Sequence, residues 1–350
     1  MADQMDGKGR PPKRRSGLTR GQKGLIAAAA VLAVALAGVL AWQSLFVRPD
    51  LNTGKTEPQE TEEPTDPVEE IDWGEGTRPR SDGERKSQDY YTVLILGRDT
   101  GGGGNTDTML LASYDVTNQK ATVMSIPRDT MVNVSWDIKK INSVYNTYGG
   151  GDRGIQALYK EISQLVGFEP DYQVVVEWDA VGQIVDAMGG VWFDVPRNMN
   201  YDDPTQDLHI HFSAGMQHLS GAEALKVVRF RHNNDGSGYG SEDIGRMSTQ
   251  QDFLMAVAEQ TLTLSNVDKV GTFAKIFQQY VDTDLTLGNL AWLGKEAITM
   301  GSKGISFSIL PGEWKSPYIY LDQEAVLTLV NESLNPYVED RVMEDLNIPS

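Results

Sequence analysis

The chain has 350 residues, 40% of them hydrophobic, a formal net charge of −18 and no cysteine. That length allows one or two domains with a sizeable core. The missing cysteine excludes disulfides, thiol catalysis and thiolate metal sites, and the acidic balance excludes general nucleic-acid binding, which needs a basic surface.

Charge is distributed unevenly. Residues 1–23 hold seven basic side chains (Lys8, Arg10, Lys13, Arg14, Arg15, Arg20 and Lys23) against Asp3 and Asp6. They read as a cytoplasmic basic tail. The uncharged run GLIAAAAVLAVALAGVLAWQSLFV at 24–47 is long enough to cross a bilayer as a helix. Basic residues before it and acids after it put the N-terminus in the cytoplasm and everything beyond outside, as a single-pass membrane protein. A cleaved signal peptide is the rival reading, but the apolar run exceeds an ordinary signal core. Residues 48–88, rich in Glu, Pro, Thr and Gly, predict an acidic flexible linker that holds the folded part away from the membrane. One domain then spans 89–350.

Within it, YYTVLIL from Tyr90 predicts a strand buried on both faces, ending abruptly at Gly97-Arg98-Asp99. After four glycines and Asn105-Thr106-Asp107-Thr108, MLLASYDV and KATVMSI predict a hairpin. The second strand again stops in Arg-Asp, at Pro127-Arg128-Asp129. KKINSVYNTYGGGDRG leads to an amphipathic helix, IQALYKEISQLVG. Next come a strand at 171–177, a helix at 178–188 stopped by Gly189-Gly190, and the strand VWFDVP. In LKVVRFR, Val227, Arg229 and Arg231 alternate with Val228 and Phe230, which predicts a strand aiming two guanidiniums the same way. A polar turn follows, then a helix whose start holds Asp243, Arg246 and Gln250. Further helices and short strands complete a mixed α/β sheet flanked by helices.

Several chemistries fail on the residues. Gly101 to Gly104 lacks the Gly-Lys-Ser/Thr of a phosphate loop, and no Gly-x-Ser-x-Gly is present. His209 and His211 could chelate a metal from one strand face, but without a nearby third ligand two histidines are more often structural. What remains is arginine with aspartate. Asp99 and Asp107, either side of a glycine loop, suit one hard cation; joined with Arg128, Arg229 and Arg231 they describe a site for a diphosphate and its metal.

Gly97-x-Asp99, Thr106-Asp107-Thr108-Met109, Ser125-Ile126-Pro127-Arg128-Asp129-Thr130, Lys140-Ile141-Asn142, Asp186-x-x-Gly189-Gly190-Val191 and Arg229-x-Arg231, followed by Asp243-x-Gly245-Arg246-x-x-x-Gln250-Gln251, together resemble the LytR-CpsA-Psr family. The resemblance is strong over Tyr90 to Leu262. It implies a membrane-anchored bacterial enzyme that transfers a glycopolymer, such as teichoic acid, from a polyprenyl diphosphate carrier to peptidoglycan. It also implies an apolar pocket for the lipid tail within the sheet-and-helix fold. Carried over, Asp99 and Asp107 would hold Mg2+, and Arg128, Arg229 and Arg231 would contact the diphosphate with help from Gln250. Arg98, Lys140 and Asn142 would complete substrate binding, and Asp243 would act as base or orient Arg246. Asn105 and Thr249 stand where the family commonly has arginine. Losing two cations would weaken diphosphate binding by a few kcal/mol, since charged hydrogen bonds contribute about 1.5–3 kcal/mol each. Two other functions are therefore kept in view: a lipid-binding regulatory protein without transfer, and a pyrophosphatase on the same lipid.

Overall fold

The computed structural model describes residues 46–51, 79–80, 83–98, 106, 108–205, 207–239 and 242–349. Its frame is a six-stranded sheet of β1 (Tyr90–Arg98), β2 (Thr108–Asp115), β3 (Lys120–Ile126), β4 (Tyr172–Glu177), β9 (Val281–Thr283) and β10 (Ile305–Ile309), in the order β10-β3-β2-β1-β4-β9. β1 runs antiparallel to β2 and parallel to β4; β10 runs parallel to β3. The register pairs Gly97 with Thr108, Met109 with Ile126 and Ile309 with Ser125. The carboxyl ends of β1, β3, β4 and β10 therefore share one edge with the start of β2.

β1 is apolar at nearly every position because each face has its own apolar neighbour. Leu94 and Leu96 are fully buried with Leu111, Met124 and Ile126. That face packs on helices α1 (Ile141–Thr147), α2 (Gly151–Val166) and α8 (Gln323–Leu329), through Ile141, Val144, Leu158, Ile162 and Val326 among others. Each such side chain contributes about 1.5–3 kcal/mol by leaving water. The α2 helix ends at Gly167, whose φ of 73° is the left-handed conformation that closes a helix without a Cβ penalty. The short α1 lies inside the stretch read as a connection; its buried Ile141, Val144 and Tyr145 recur at helical spacing. The opposite face of the sheet turns toward α3 (Trp178–Met188), α5 (Glu242–Thr261), α6 (Val270–Tyr280) and α7 (Leu287–Met300).

Between α3 and helix α4 (Gly221–Arg229) the chain makes a nested excursion. β5 (Val191–Val195) pairs with β8 (Gly215–Leu219), and inside them β6 (Met199–Asp203) pairs with β7 (Leu208–Phe212). VWFDVP is thus a strand as expected, but it belongs to this ribbon and not to the central sheet. The ribbon closes a second core of Val191, Phe193, Ile210, Val227, Phe230 and Phe253.

The strand expected through Arg229 and Arg231 is corrected by α4. Ser220 and Glu223 form a reciprocal capping box, which satisfies the free amides of the first turn. Ala224, Val227 and Val228 then supply buried positions at helical spacing. Phe230 leaves the helix in extended conformation, so Arg229 ends a helix and Arg231 follows it in a loop.

Residues at both ends of the 48–88 stretch make hydrogen bonds to the domain. Val47 N–H donates to Gly288 O at 3.1 Å and its carbonyl accepts from Asn289 Nδ2 at 2.9 Å. Arg48 pairs with Asp89 at 2.7 Å, and Asp50 O accepts from the Tyr172 hydroxyl at 2.9 Å. Arg85 grips Asp171 with both terminal nitrogens, at 2.6 and 2.9 Å. Both ends of the 48–88 stretch are therefore bound to the folded domain. Among the described residues no helix is long and apolar enough to cross a membrane; the span read at 24–47 lies outside them save its last two residues.

Candidate functional site

On the α5 face of the sheet lies a cavity of about 510 Å³. Its floor is the alternate set of strand side chains, Val93 and Ile95 from β1 and Leu110 and Ala112 from β2. Leu254, Val257 and Ala258 of α5 wall it on one side, and α6 and α7 on another. At one end the lining reaches Gly97 and Thr108, register partners at the shared sheet edge. A Cβ on Gly97 would lie 2.9 Å from Thr108 Cβ, so that position is restricted to glycine. The long apolar strands thus serve two neighbours, a packed core on one face and an open cavity on the other.

Three elements carry most of the described members of the expected site residues. Arg128 follows β3, with its side chain 24% exposed, and its carbonyl accepts from the Asn142 amide at 3.2 Å. Lys140 does not offer a free cation there, for its Nζ pairs with Asp129 at 2.7 Å. Its charge secures the turn that carries Arg128. The Asn142 side chain lines a shallow surface groove beside Trp136 and Asn146.

The second support is α4. At its start the Gly221 amide donates to Asp186 Oδ1 at 2.8 Å, which gives the Asp186-x-x-Gly-Gly motif a positioning role. At its end Gln250 Nε2 donates to Val228 O at 3.2 Å. Gln250 therefore holds the helix one residue short of Arg229. Both Arg229 and Arg231 are exposed. Gly182 and Gly221 let α3 and α4 touch, since a Cβ on Gly221 would lie 2.1 Å from Gly182 O.

The third is α5 itself. Gln251 Nε2 donates to Ser308 O at 3.3 Å, and Ser308 is the register partner of Met124, near the end of β3. Helix α5 so ties the Arg229 end of α4 to the Arg128 end of β3. Arg246, in its second turn, is only 4% exposed. Thr249, also buried, donates to the Tyr239 hydroxyl at 2.9 Å or back to Gly245 O at 3.1 Å. Tyr239 packs on Phe230 and under the Arg197 guanidinium, 5.0 Å from its ring centre. Asp243 lies in the first turn of α5 and Arg98 ends β1. Asp99, Asn105 and Asp107, the two expected metal ligands among them, lie outside the described residues.

Asp129, Asp186, Gly182 and Gln251 are the site residues that sequence reasoning left without a role. Only Ser220-x-x-Glu223 signalled in advance that the arginine segment begins as a helix.

The structure is thus a mixed α/β sheet with an apolar cavity on one face, and Arg98 and Arg128 follow the strand ends that share one edge. The chain belongs to the LytR_cpsA_psr family, whose model matches residues 50–337. The regulatory protein MsrR of Staphylococcus aureus is 25% identical over 269 residues, 75% of this chain and 77% of that protein. The polyisoprenyl-teichoic acid–peptidoglycan teichoic acid transferase TagU of Bacillus cereus is 33% identical over 199 residues, 56% of this chain and 60% of its own. Among solved structures, Bacillus subtilis TagV superposes with a TM-score of 0.58 at 25% identity, covering 72% of this chain and all of that one.

Proposed function

We propose that this protein is a membrane-anchored phosphotransferase that moves a glycopolymer from a polyprenyl diphosphate carrier to peptidoglycan. The observation that carries the proposal is the cavity's end at Gly97 and Thr108. An apolar chain lying in the cavity brings its diphosphate out at the edge where Arg128 and Arg229 are held. Relatives named as teichoic acid transferases support the same reading.

In this reading Arg128, Arg229 and Arg231 bind the diphosphate oxygens, with Arg98 beside them. A peptidoglycan hydroxyl attacks the phosphorus that bears the glycopolymer. The new acceptor O–P bond forms as the bridging P–O bond breaks, polyprenyl phosphate leaves, and Asp243 takes the hydroxyl proton. Gly97 and Thr108 are paired strand residues, so the chain leaves and re-enters the sheet within about 5 Å. Asp99 and Asp107, as the family resemblance implies, would share one hard ion. Bound Mg2+ would neutralise charge on the phosphate oxygens. Lys140, Asn142 and Gln250 act through position, each holding an element that presents an arginine.

A second reading, a lipid-binding regulatory protein without transfer, is favoured by Thr249, whose place on α5 is filled by a hydroxyl bonded to Tyr239 and not by a cation. The test that separates them uses the chain from residue 46 with a polyprenyl diphosphate glycan, Mg2+ and peptidoglycan fragments, products being read by mass spectrometry. A phosphodiester-linked adduct that disappears with chelator and in Arg229→Ala establishes transfer. Tight lipid binding without adduct or hydrolysis establishes the regulatory reading, and free polymer without adduct a pyrophosphatase.

A further inference from the structure

The β6–β7 hairpin lies apart from the sheet edge just described. Its register sets Asp202 opposite His209 and Asn200 opposite His211. Residues two apart on a strand share a face, so all four side chains stand on one side of the hairpin. The third ligand that the pair of histidines lacks in sequence is thus supplied across the strands.

We propose that this face binds one divalent transition-metal ion of the zinc class, through Asp202, His209 and His211. Asp202 Oδ1 lies 2.5 Å from His209 Nδ1 and 3.0 Å from His211 Nε2, and the three residues' donor atoms all lie within 4.8 Å of one another. Ligands about 2.0–2.2 Å from a tetrahedral ion stand about 3.3–3.6 Å apart. Closing on an ion requires shifts of roughly 1 Å, which exposed side chains make by small rotations.

The outer nitrogens have acceptors of their own. His211 Nδ1 lies 2.8 Å from Asn200 Oδ1, and His209 Nε2 lies 3.5 Å from Asp207 Oδ1. Once an ion takes the inner nitrogens from Asp202, an acceptor at each outer nitrogen holds the ring proton there. Both rings have this arrangement, with inner nitrogens on one carboxylate oxygen and ring planes within 17° of parallel. A simple His–Asp ion pair needs neither the second ring nor its outer acceptor. The side chains of Asp202, His209 and His211 are 44%, 51% and 53% exposed, which leaves the fourth position to water or an external ligand. The backbone beneath is fixed, for the amides of Asn200 and Asp202 each donate at 2.7 Å to Asn233 Oδ1 and Asn234 Oδ1. Two imidazoles and one carboxylate select zinc-like ions over Mg2+, so the site is distinct from that assigned to Asp99 and Asp107.

The experiment uses the untagged, chelator-stripped full chain in detergent. Zn2+ is titrated against a chromogenic chelator, and Co2+ uptake is followed by visible absorption. One Zn2+ per chain, bound in the presence of millimolar Mg2+, with the intense Co2+ bands of four-coordination, is expected. His209→Ala/His211→Ala should weaken Zn2+ binding by at least 100-fold; Asn200→Ala, which keeps every ligand, should weaken it about 10–100-fold through the lost outer bond. Asp202→Asn, close in shape to the native residue, should also lose the ion while melting as the native chain does. No competition for Zn2+ at micromolar concentration would overturn the proposal. Equal uptake by the native chain and the double-histidine variant would overturn it too, by placing the ion elsewhere.

Discussion

Filling the cavity tests whether it houses the carrier tail. Ala112 on β2 and Ala258 on α5 both line it, and both can be enlarged to phenylalanine. Taking about 30 Å³ per small-molecule unit in a liquid, 510 Å³ holds roughly 17 carbon-sized groups. Each new ring adds six carbons, so the double variant consumes about 12 of them and leaves too little room for an isoprenoid segment. In a packed core such overfilling costs about 1–3 kcal/mol per site. Here each ring enters open apolar space and contributes up to about 1.5–3 kcal/mol of its own burial. Ala112→Phe/Ala258→Phe should therefore melt at or above the native temperature, while transfer from a long-chain polyprenyl donor falls at least 10-fold. A water-soluble donor with a very short chain should be used nearly as well as by the native enzyme, because the arginines are untouched. Unchanged long-chain transfer in a variant whose raised melting temperature shows both rings buried would refute the assignment of the cavity to the tail.

Three further changes probe the supports of the site. Gly221→Ala sets a methyl 2.1 Å from Gly182 O, forcing α3 and α4 apart; a loss of about 1–3 kcal/mol in urea unfolding is expected, and a native midpoint would show that the helices are not locked there. Beginning the chain at residue 52 removes the hydrogen bonds of Val47, Arg48 and Asp50 and uncovers Tyr91, which is fully buried with Trp292 against it. Four or so bonds at about 1 kcal/mol each should lower the melting temperature by roughly 8–16 °C relative to a chain beginning at residue 46; equal melting would make the segment a passive tether. Burial pushes the Glu161 carboxyl on α2 up to about 7. The folded state then holds its proton more tightly than the unfolded one, so stability is highest below the unfolded value of 4.5 and declines as pH rises toward 7. The decline is at most roughly 3 kcal/mol, and Glu161→Gln should remove it; the same slope in the variant would locate the titration elsewhere.

The local rules of the chain made much of the frame legible. A continuous apolar run over Tyr90–Leu96, a hairpin across Thr117-Asn118-Gln119 and the glycine stop at Gly189 each follow from side-chain pattern and backbone freedom within a few residues, and all three stand in the structure. Arg98 and Arg128 are legible for the same reason, since an Arg-Asp pair at a strand end is visible wherever the strand is. The segment that carries Arg229 and Arg231 was another matter. LKVVRFR alternates as a strand would, yet the capping box upstream and the apolar floor beneath it make a helix. No local pattern weighs a cap against an alternation; burial against Phe193 and Phe253 does.

Tertiary structure alone decided which face of each apolar strand meets a packed core and which meets a cavity, because period-2 sequences read identically in both cases. It also decided that Lys140 holds Asp129, that Gln250 and Asp186 hold the two ends of one helix, and that Asp202 stands against two histidines. Sequence by itself determined most of the elements and the chemical groups they carry, through interactions that reach a few residues along the chain. The partners of those groups lie 7 to 35 residues away, and only strand pairing and helix packing bring them within hydrogen-bond distance.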